Sequence, residues 1–366
     1  MSRILIIAGD PSGDAHAAEM VRRLKTMSPD EEIAAVGGPA LAAAGAKLIA
    51  NLVGEAVTGF SEVIAHLPHV LKHYVTALTA AKRADLVVFV DYPGFNLALA
   101  RDIFKLSPRP KMLWYIAPQV WAWNKGRTGV MSRILDRIAV VFPFEEKIFP
   151  NAEYVGHPLL DLPVPEPIAE FDGSRVVALL PGSRKNEISR HIGVMIDAAK
   201  ILARRGWRPV ISMSNPDFLP RFERAECELY SGSPRSLLAS SEAAIVKSGT
   251  STLETALLGK PLVAIYRLSW ISYMIGKVLV DIKHFAMPNI LLEEEAVPEL
   301  LQQQATAERI VSKLEHLDKS GAEKAFSRLR DILQNRGSAQ RTAEICLELL
   351  GKRQVAARQV VSPLPA

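Results

Sequence analysis

Residues 3–24 read RILIIAGDPSGDAHAAEMVRRL, and this stretch decides the fold. Arg3 to Ala8 is a continuous apolar run behind one cation, the mark of a strand buried on both faces. It breaks into Gly9-Asp10-Pro11-Ser12-Gly13-Asp14, after which Ala18, Val21 and Leu24 recur at helical spacing. The reading is strand, loop, helix. The run is short and leads into that loop instead of a longer apolar stretch with a small-residue cleavage site, so it is a first strand and not a signal peptide.

The unit repeats. Asp85–Val90 leads into Asp91-Tyr92-Pro93-Gly94-Phe95, Lys111–Ala117 into Pro118-Gln119, and Arg137–Phe142 into Pro143-Phe144-Glu145. Alternating buried strands and helices imply a parallel sheet covered on both faces. The rhythm fails in the proline-rich Asp161-Leu162-Pro163-Val164-Pro165-Glu166-Pro167, which suits a semi-rigid connector. It restarts with Arg175–Leu180, Pro209–Met213, Cys227–Tyr230, Ala243–Val246 and Pro261–Ile265. At 366 residues the chain exceeds one ordinary core. The expected architecture is α/β, with Rossmann-like domains over 1–162 and 170–340 and a C-terminal helix and frayed tail over 341–366. Open parallel sheets bind ligands beyond the carboxyl ends of their strands, so the two sheets are expected to face an interdomain cleft holding the chemistry.

Composition narrows the classes. A hydrophobic share of 49% against 23% charged residues gives enough apolar surface to fold, which excludes a disordered chain. No run reaches the roughly 18 unbroken apolar residues of a membrane span. The net charge of +5 fits nucleotides, phosphorylated lipids, anionic bilayers or nucleic acid, and does not choose among them. Trp114, Tyr115, Trp121 and Trp123 lack the interleaved cations of a nucleic-acid surface, so core or acyl contact is the better reading. Cys227 and Cys346 read as two buried thiols. There is no Asp-x-Asp, no Cys/His cluster and no GxGxxG after the first strand, which disfavours a metal-held diphosphate or a dinucleotide cofactor.

Two loops of the second half suit phosphate. Pro181-Gly182-Ser183-Arg184 joins a strand to a helix, so its amides and the helix N-terminus can receive a diphosphate while Arg184 adds a forked cation. Lys247-Ser248-Gly249-Thr250-Ser251-Thr252-Leu253-Glu254 repeats the arrangement, with Glu254 placed for a ribose hydroxyl. A structural turn, simple capping by Ser248 and Thr250, and a first-turn carboxylate account for the same residues. In the first half, Asp91 follows a strand beside Pro93 and Gly94 and can accept a proton from a sugar hydroxyl, or close an Asx-turn. Asp10 and Asp14 carry the turn reading more heavily, and His16 and His157 are not assigned to catalysis.

Between Ser61 and Lys82, Ile64, Leu67, Val70, Leu71, Tyr74, Val75 and Leu78 fall at helical spacing among His66, His69, Lys72 and His73. A core helix and a bilayer-dipping basic face share this pattern, and Pro68 interrupts it.

Read together, Gly9–Asp14, Asp91–Asn96, Pro118-Gln119-Val120-Trp121-Ala122-Trp123, Phe142–Glu145, Gly156-His157-Pro158, Leu180–Arg184, Ser248-Gly249-Thr250 and Pro288-Asn289 resemble the lipid-A-disaccharide synthase family, in family order over nearly the whole chain. The resemblance implies an inverting, metal-independent, cofactor-free glycosyltransferase of the B-type fold. Its substrates would be UDP-2,3-diacylglucosamine and 2,3-diacylglucosamine 1-phosphate, condensed to the lipid A disaccharide 1-phosphate with release of UDP. The setting it implies is the cytoplasmic face of a Gram-negative inner membrane, with no nucleic-acid partner. By that similarity Asp91 is the candidate base and Arg184 the diphosphate-contacting arginine. Ser183, Glu187, Ser248, Gly249, Thr250, Glu254 and Asn289 fall on the UDP-sugar side, and Asp10, Ser12, Gly13 and Asp14 on the acceptor side. Ile64, Leu67, Val70 and Leu71 are expected to meet acyl chains. Where the family usually has Glu in its first loop, this chain has Asp10, one methylene shorter. Two other readings fit the same fold and loops: another nucleotide-sugar transferase or epimerase, and a non-catalytic, membrane-associated UDP-sugar or lipid-binding protein.

Overall fold

The computed structural model describes residues 1–53, 60–118, 126–213, 227–268, 283–333 and 337–352, with backbone alone at 60–67 and Lys185. The chain divides into two compact units, Met1–Asp161 with Asn335–Ala366, and Leu162–Gln334.

Among the described residues, the first unit holds seven strands: β1 (Arg3–Ala8), β2 (Glu32–Gly37), β3 (Lys47–Asn51), β4 (Leu86–Val90), β5 (Lys111–Tyr115), β6 (Arg137–Val140) and β7 (Ala152–Tyr154). All pair in parallel, in the order β3-β2-β1-β4-β5-β6-β7. β4 is buried at every position and β1 at every position after Arg3, because helices cover both faces of central parallel strands. Leu5, Ile7, Val87, Phe89 and Trp114 share one core with Leu99, Ala100 and Ile103 of the Pro93–Phe104 helix. Trp114 and Tyr115 are fully buried, which gives them to the core, while Trp121 and Trp123 lie outside the described residues.

The second unit repeats the plan with β8 (Val176–Leu180), β9 (Arg208–Ser212), β10 (Glu228–Tyr230), β11 (Ala243–Lys247), β12 (Leu262–Tyr266) and β13 (Glu299–Leu301). Again all pair in parallel, ordered β10-β9-β8-β11-β12-β13. The order reverses between β1 and β4 in one sheet and between β8 and β11 in the other. Such switch points open a crevice beyond the strand ends.

The C-terminal segment returns to the first unit. The Ser338–Leu349 helix packs beside the Pro11–Met27 helix of the first unit. Asp161, the last residue before the crossing, caps it by accepting from the amides of Gly337 at 2.8 Å, Ser338 at 3.1 Å and Ala339 at 2.9 Å. Tyr115 Oη and Ser338 Oγ are 2.6 Å apart, and Arg341 Nε donates to Glu153 at 2.5 Å. The Phe60–Ala81 helix runs through Pro68 without breaking. Cys227 and Cys346 are free thiols, the second buried and the first partly so.

Candidate active site

In the first unit, the loops after β1 and β4 meet at the switch point, where Ala8 pairs with Val90. Asp10 is the N-cap of the Pro11–Met27 helix, its Oδ1 accepting from the Gly13 amide at 2.6 Å, with Pro11 opening the first turn. Gly13 is buried against that oxygen: an added Cβ would lie 3.1 Å from it. Ser12 is exposed, with Oγ 3.3 Å from His16 Nε2. Asp14 faces inward instead. It is 2% exposed and accepts from the amides of Gly38 (2.8 Å), Ala40 (2.9 Å) and Leu41 (3.3 Å), which secures the start of the Pro39–Ala43 helix.

Asp91 and Tyr92 both take left-handed backbone, at φ 43° and 49°. Two consecutive non-glycine residues there cost about 1–3 kcal/mol each, so the surroundings must fix them. They do. The Asp91 amide donates to Tyr115 O at 3.0 Å, and buried Asn96 donates through Nδ2 to Asp91 O at 2.8 Å and Val90 O at 3.3 Å. The Tyr92 ring lies where a Cβ at Gly9 would stand, only 2.0 Å away, so glycine in the first loop makes room for the second. The sharp turn holds Asp91 half-buried at the carboxyl end of β4. Asn96, which closes the Asp91–Asn96 motif but was given no role there, braces this turn from the first turn of the helix that follows it.

His157 belongs to the packing. It is buried against Phe142, its Nδ1 accepts the Leu159 amide at 3.2 Å, and burial, with His16 nearby, pushes its pKa down to about 3.

In the second unit, the loops after β8 and β11 likewise meet at a switch point, where Leu180 pairs with Val246. Gly182 at φ +111° and Gly249 at φ +146° hold conformations that a side chain would strain. Ser183 and Arg184 are exposed, and Arg184 stands at the N-cap position of the Lys185–Arg204 helix, its NH1 3.5 Å from Glu187 Oε1. Thr250 is exposed at the head of the Thr250–Leu257 helix, while Ser248 is turned in, its Oγ donating to Phe285 O at 2.6 Å. Glu254 Oε1 accepts from Arg235 NH1 at 2.8 Å, and Arg235 NH2 also donates to Pro163 O at 3.1 Å. Asn289 is fully buried and exchanges two hydrogen bonds with the Val297 backbone, at 2.8 and 2.9 Å, which makes it a brace under the site.

Behind these loops Glu187, already placed on the UDP-sugar side, meets three residues to which the motifs gave no role: Lys247, His191 and Tyr266. Glu187 Oε1 accepts from Lys247 Nζ at 2.8 Å. Burial raises the Glu187 pKa, but the Lys247 ammonium and then Arg184 hold it below the usual carboxylate range. His191 Nε2 accepts the Arg267 amide at 2.9 Å, so Nδ1 carries the hydrogen given to Glu187 O at 2.7 Å. Burial pushes its pKa down to about 4, and its ring stacks on Tyr266 at 6.2 Å. Lys247 and Tyr266 are each the last residue of a strand, the place where a parallel sheet presents its chemistry. That was the available signal.

The apolar helix divides. Val70 packs on the core, whereas Leu71 is 59% exposed and Val75, one turn on, 55% exposed beside exposed Lys72. The side chains of Ile64 and Leu67 lie outside the described residues.

Residues 4–349 match the Lipid-A-disaccharide synthetase family. A relative from Geobacter metallireducens, a lipid-A-disaccharide synthase, is 37% identical over 381 residues, spanning 96% of this chain and 98% of its own. The chain belongs to the lipid-A-disaccharide synthase family. It is an enzyme, a glycosyltransferase of lipid A biosynthesis. Its fold is that of the B-type glycosyltransferases and related epimerases. The calicheamicin glycosyltransferase CalG4 superposes with a TM-score of 0.60 at 17% identity, over 96% of this chain and 99% of its own. The UDP-GlcNAc 2-epimerase of Neisseria meningitidis bound to UDP-GlcNAc gives 0.59 at 12%, over 96% and 100%. These two carry the fold alone. Among the described residues no helix is long and apolar enough to cross a membrane, and no group of three or more His, Cys, Asp or Glu is arranged to hold a metal ion.

Proposed function

We propose that this enzyme transfers 2,3-diacylglucosamine from its UDP conjugate to the 6-hydroxyl of 2,3-diacylglucosamine 1-phosphate, with inversion at the anomeric carbon. The acceptor oxygen attacks that carbon, its proton passes to the Asp91 carboxylate, and the bond to the diphosphate breaks with its electron pair going to UDP. Arg184 and the amides of the two glycine loops stabilise the charge that gathers on the departing oxygen. The first unit supplies the base and the acceptor-side loop of Asp10, Ser12 and Gly13. The second supplies the nucleotide side through Ser183, Arg184, Gly249, Thr250 and Glu254.

The observation that carries this reading is the strained Asp91–Tyr92 turn, held by Asn96 and Tyr115 at the end of β4. Strain maintained at a switch point suits a carboxylate held for chemistry, whereas a simple surface turn has no use for it. Exposed Leu71 and Val75 beside Lys72 support docking on an anionic bilayer, with apolar side chains in the acyl boundary and the cation at the headgroups. On this reading the enzyme works as a peripheral protein at the cytoplasmic face of the inner membrane. The direct test is acceptor-dependent UDP release by Asp91→Asn, which keeps the turn but cannot take the proton. A fall of about 100-fold or more in kcat is expected, and full turnover by the variant removes Asp91 from the role.

A further inference from the structure

The second unit holds a cation that the reading above leaves unused. Lys247 ends β11 with its side chain only 14% exposed, and Nζ lies 2.8 Å from Glu187 Oε1 and 5.6 Å from the Tyr266 ring centroid. A Cβ on Gly249 would stand 3.5 Å from that nitrogen, so the ammonium abuts the glycine that opens the second loop. Glu187 is tied to the other loop: a Cβ on Gly182 would stand 2.7 Å from its Oε2. The ion pair therefore bridges both loops at the β8–β11 switch point.

A structural tie is not needed there. The strand ends already pair through Leu180 and Val246, and drawing two charges out of water is costly. A carboxylate between two phosphate-type loops would also repel a diphosphate. With Arg184 and Lys247 beside it, the three side chains carry one net positive charge. An ammonium has three hydrogens and Glu187 accepts one, which leaves donors for a further anion.

We propose that Lys247 is the second side-chain cation for the leaving diphosphate, with Glu187 as the positioning residue that holds its ammonium at the Gly249 loop. As the anomeric C–O bond breaks and its electron pair moves onto the diphosphate oxygen, Lys247 donates a hydrogen bond to the growing charge, with no proton transferred. This rests on the nucleotide-side reading given above. The contact strengthens as the bond breaks, so it acts on kcat as well as on binding.

The test compares UDP and UMP binding by calorimetry, and UDP release, in wild type, Lys247→Met, Lys247→Arg and the double variant Glu187→Gln/Lys247→Met. Loss of a charge-assisted contact to the diphosphate weakens UDP by about 10- to 100-fold in Lys247→Met while UMP changes far less. Lys247→Arg recovers most of that loss, and kcat falls in Lys247→Met. The double variant leaves no unpaired carboxylate, so it keeps the fold if Lys247→Met does not, and is expected to show the same selective loss of UDP. Equal weakening of UDP and UMP, or unchanged UDP affinity, overturns the proposal and leaves the pair a structural brace. Failure of the wild type to bind UDP at all overturns the nucleotide reading first, and this inference with it.

Discussion

Asp14 lies in the motif that first points to function, yet its carboxylate is spent on the fold, and replacing it separates the two roles. The side chain is 2% exposed and accepts three amides, at 2.8, 2.9 and 3.3 Å. Hydrogen bonds to a charged group contribute about 1.5–3 kcal/mol each, and orphaned buried donors add their own penalty. The bonds share one carboxylate and do not sum, so Asp14→Ala is expected to cost about 3–5 kcal/mol. Asp14→Asn keeps one acceptor but turns an NH2 toward an amide, costing about 2–3 kcal/mol. For a unit of this size each kcal/mol moves Tm by about 2–4 °C, which gives a drop of about 6–20 °C for the alanine variant. By contrast, Asp10→Ala loses one N-cap bond and about 1 kcal/mol. The assay is calorimetric melting of both variants beside acceptor KM, measured well below the melting range. Unchanged Tm with a raised acceptor KM in Asp14→Asn would refute the structural assignment.

Other outcomes follow from the same geometry. The folded second unit keeps His191 neutral with a pKa near 4 against an ordinary 6.5, so the unfolded chain binds the proton first and stability falls as pH drops from about 6.5 toward 4. The loss is on the order of 3 kcal/mol, and His191→Gln should flatten that part of a Tm-against-pH curve. Leu71→Glu/Val75→Glu should abolish binding to anionic vesicles with Tm nearly unchanged, because both side chains already face solvent. Gly9→Ala sets a methyl 2.0 Å from the Tyr92 ring, so it should displace the Asp91 turn and cut kcat while UDP affinity holds. Arg235→Ala frees Glu254 from a 2.8 Å ion pair, and UDP titration of that variant should show weaker binding than wild type.

Much of this was legible in the residues. Apolar runs such as Leu86–Val90 and Val176–Leu180 declare strands because both faces of a central parallel strand must be buried, and the loops that follow them declare the two switch points. The path of the C-terminus was not legible. It depends on Asp161 meeting three amides of residues 337–339, a pairing between residues some 176 positions apart that no local pattern encodes. Motif position also did not separate working side chains from supporting ones. Asp14, Asn96 and Asn289 stand within functional motifs but satisfy backbone groups, whereas Lys247, quoted only as the start of a loop, and His191 acquire their partners only through folding. Burial likewise split the amphipathic helix, because periodicity gives a face but not what covers it: Val70 is packed and Val75 exposed.

The central claim is tested most directly by incubating the purified enzyme in detergent and chelator with UDP-2,3-diacylglucosamine, with and without 2,3-diacylglucosamine 1-phosphate, and following all products by mass spectrometry. The account predicts UDP and the diacylglucosamine disaccharide 1-phosphate in equal amounts, formed only when both lipids are present. UDP released without the acceptor, or a UDP-sugar returned as its epimer, would contradict it.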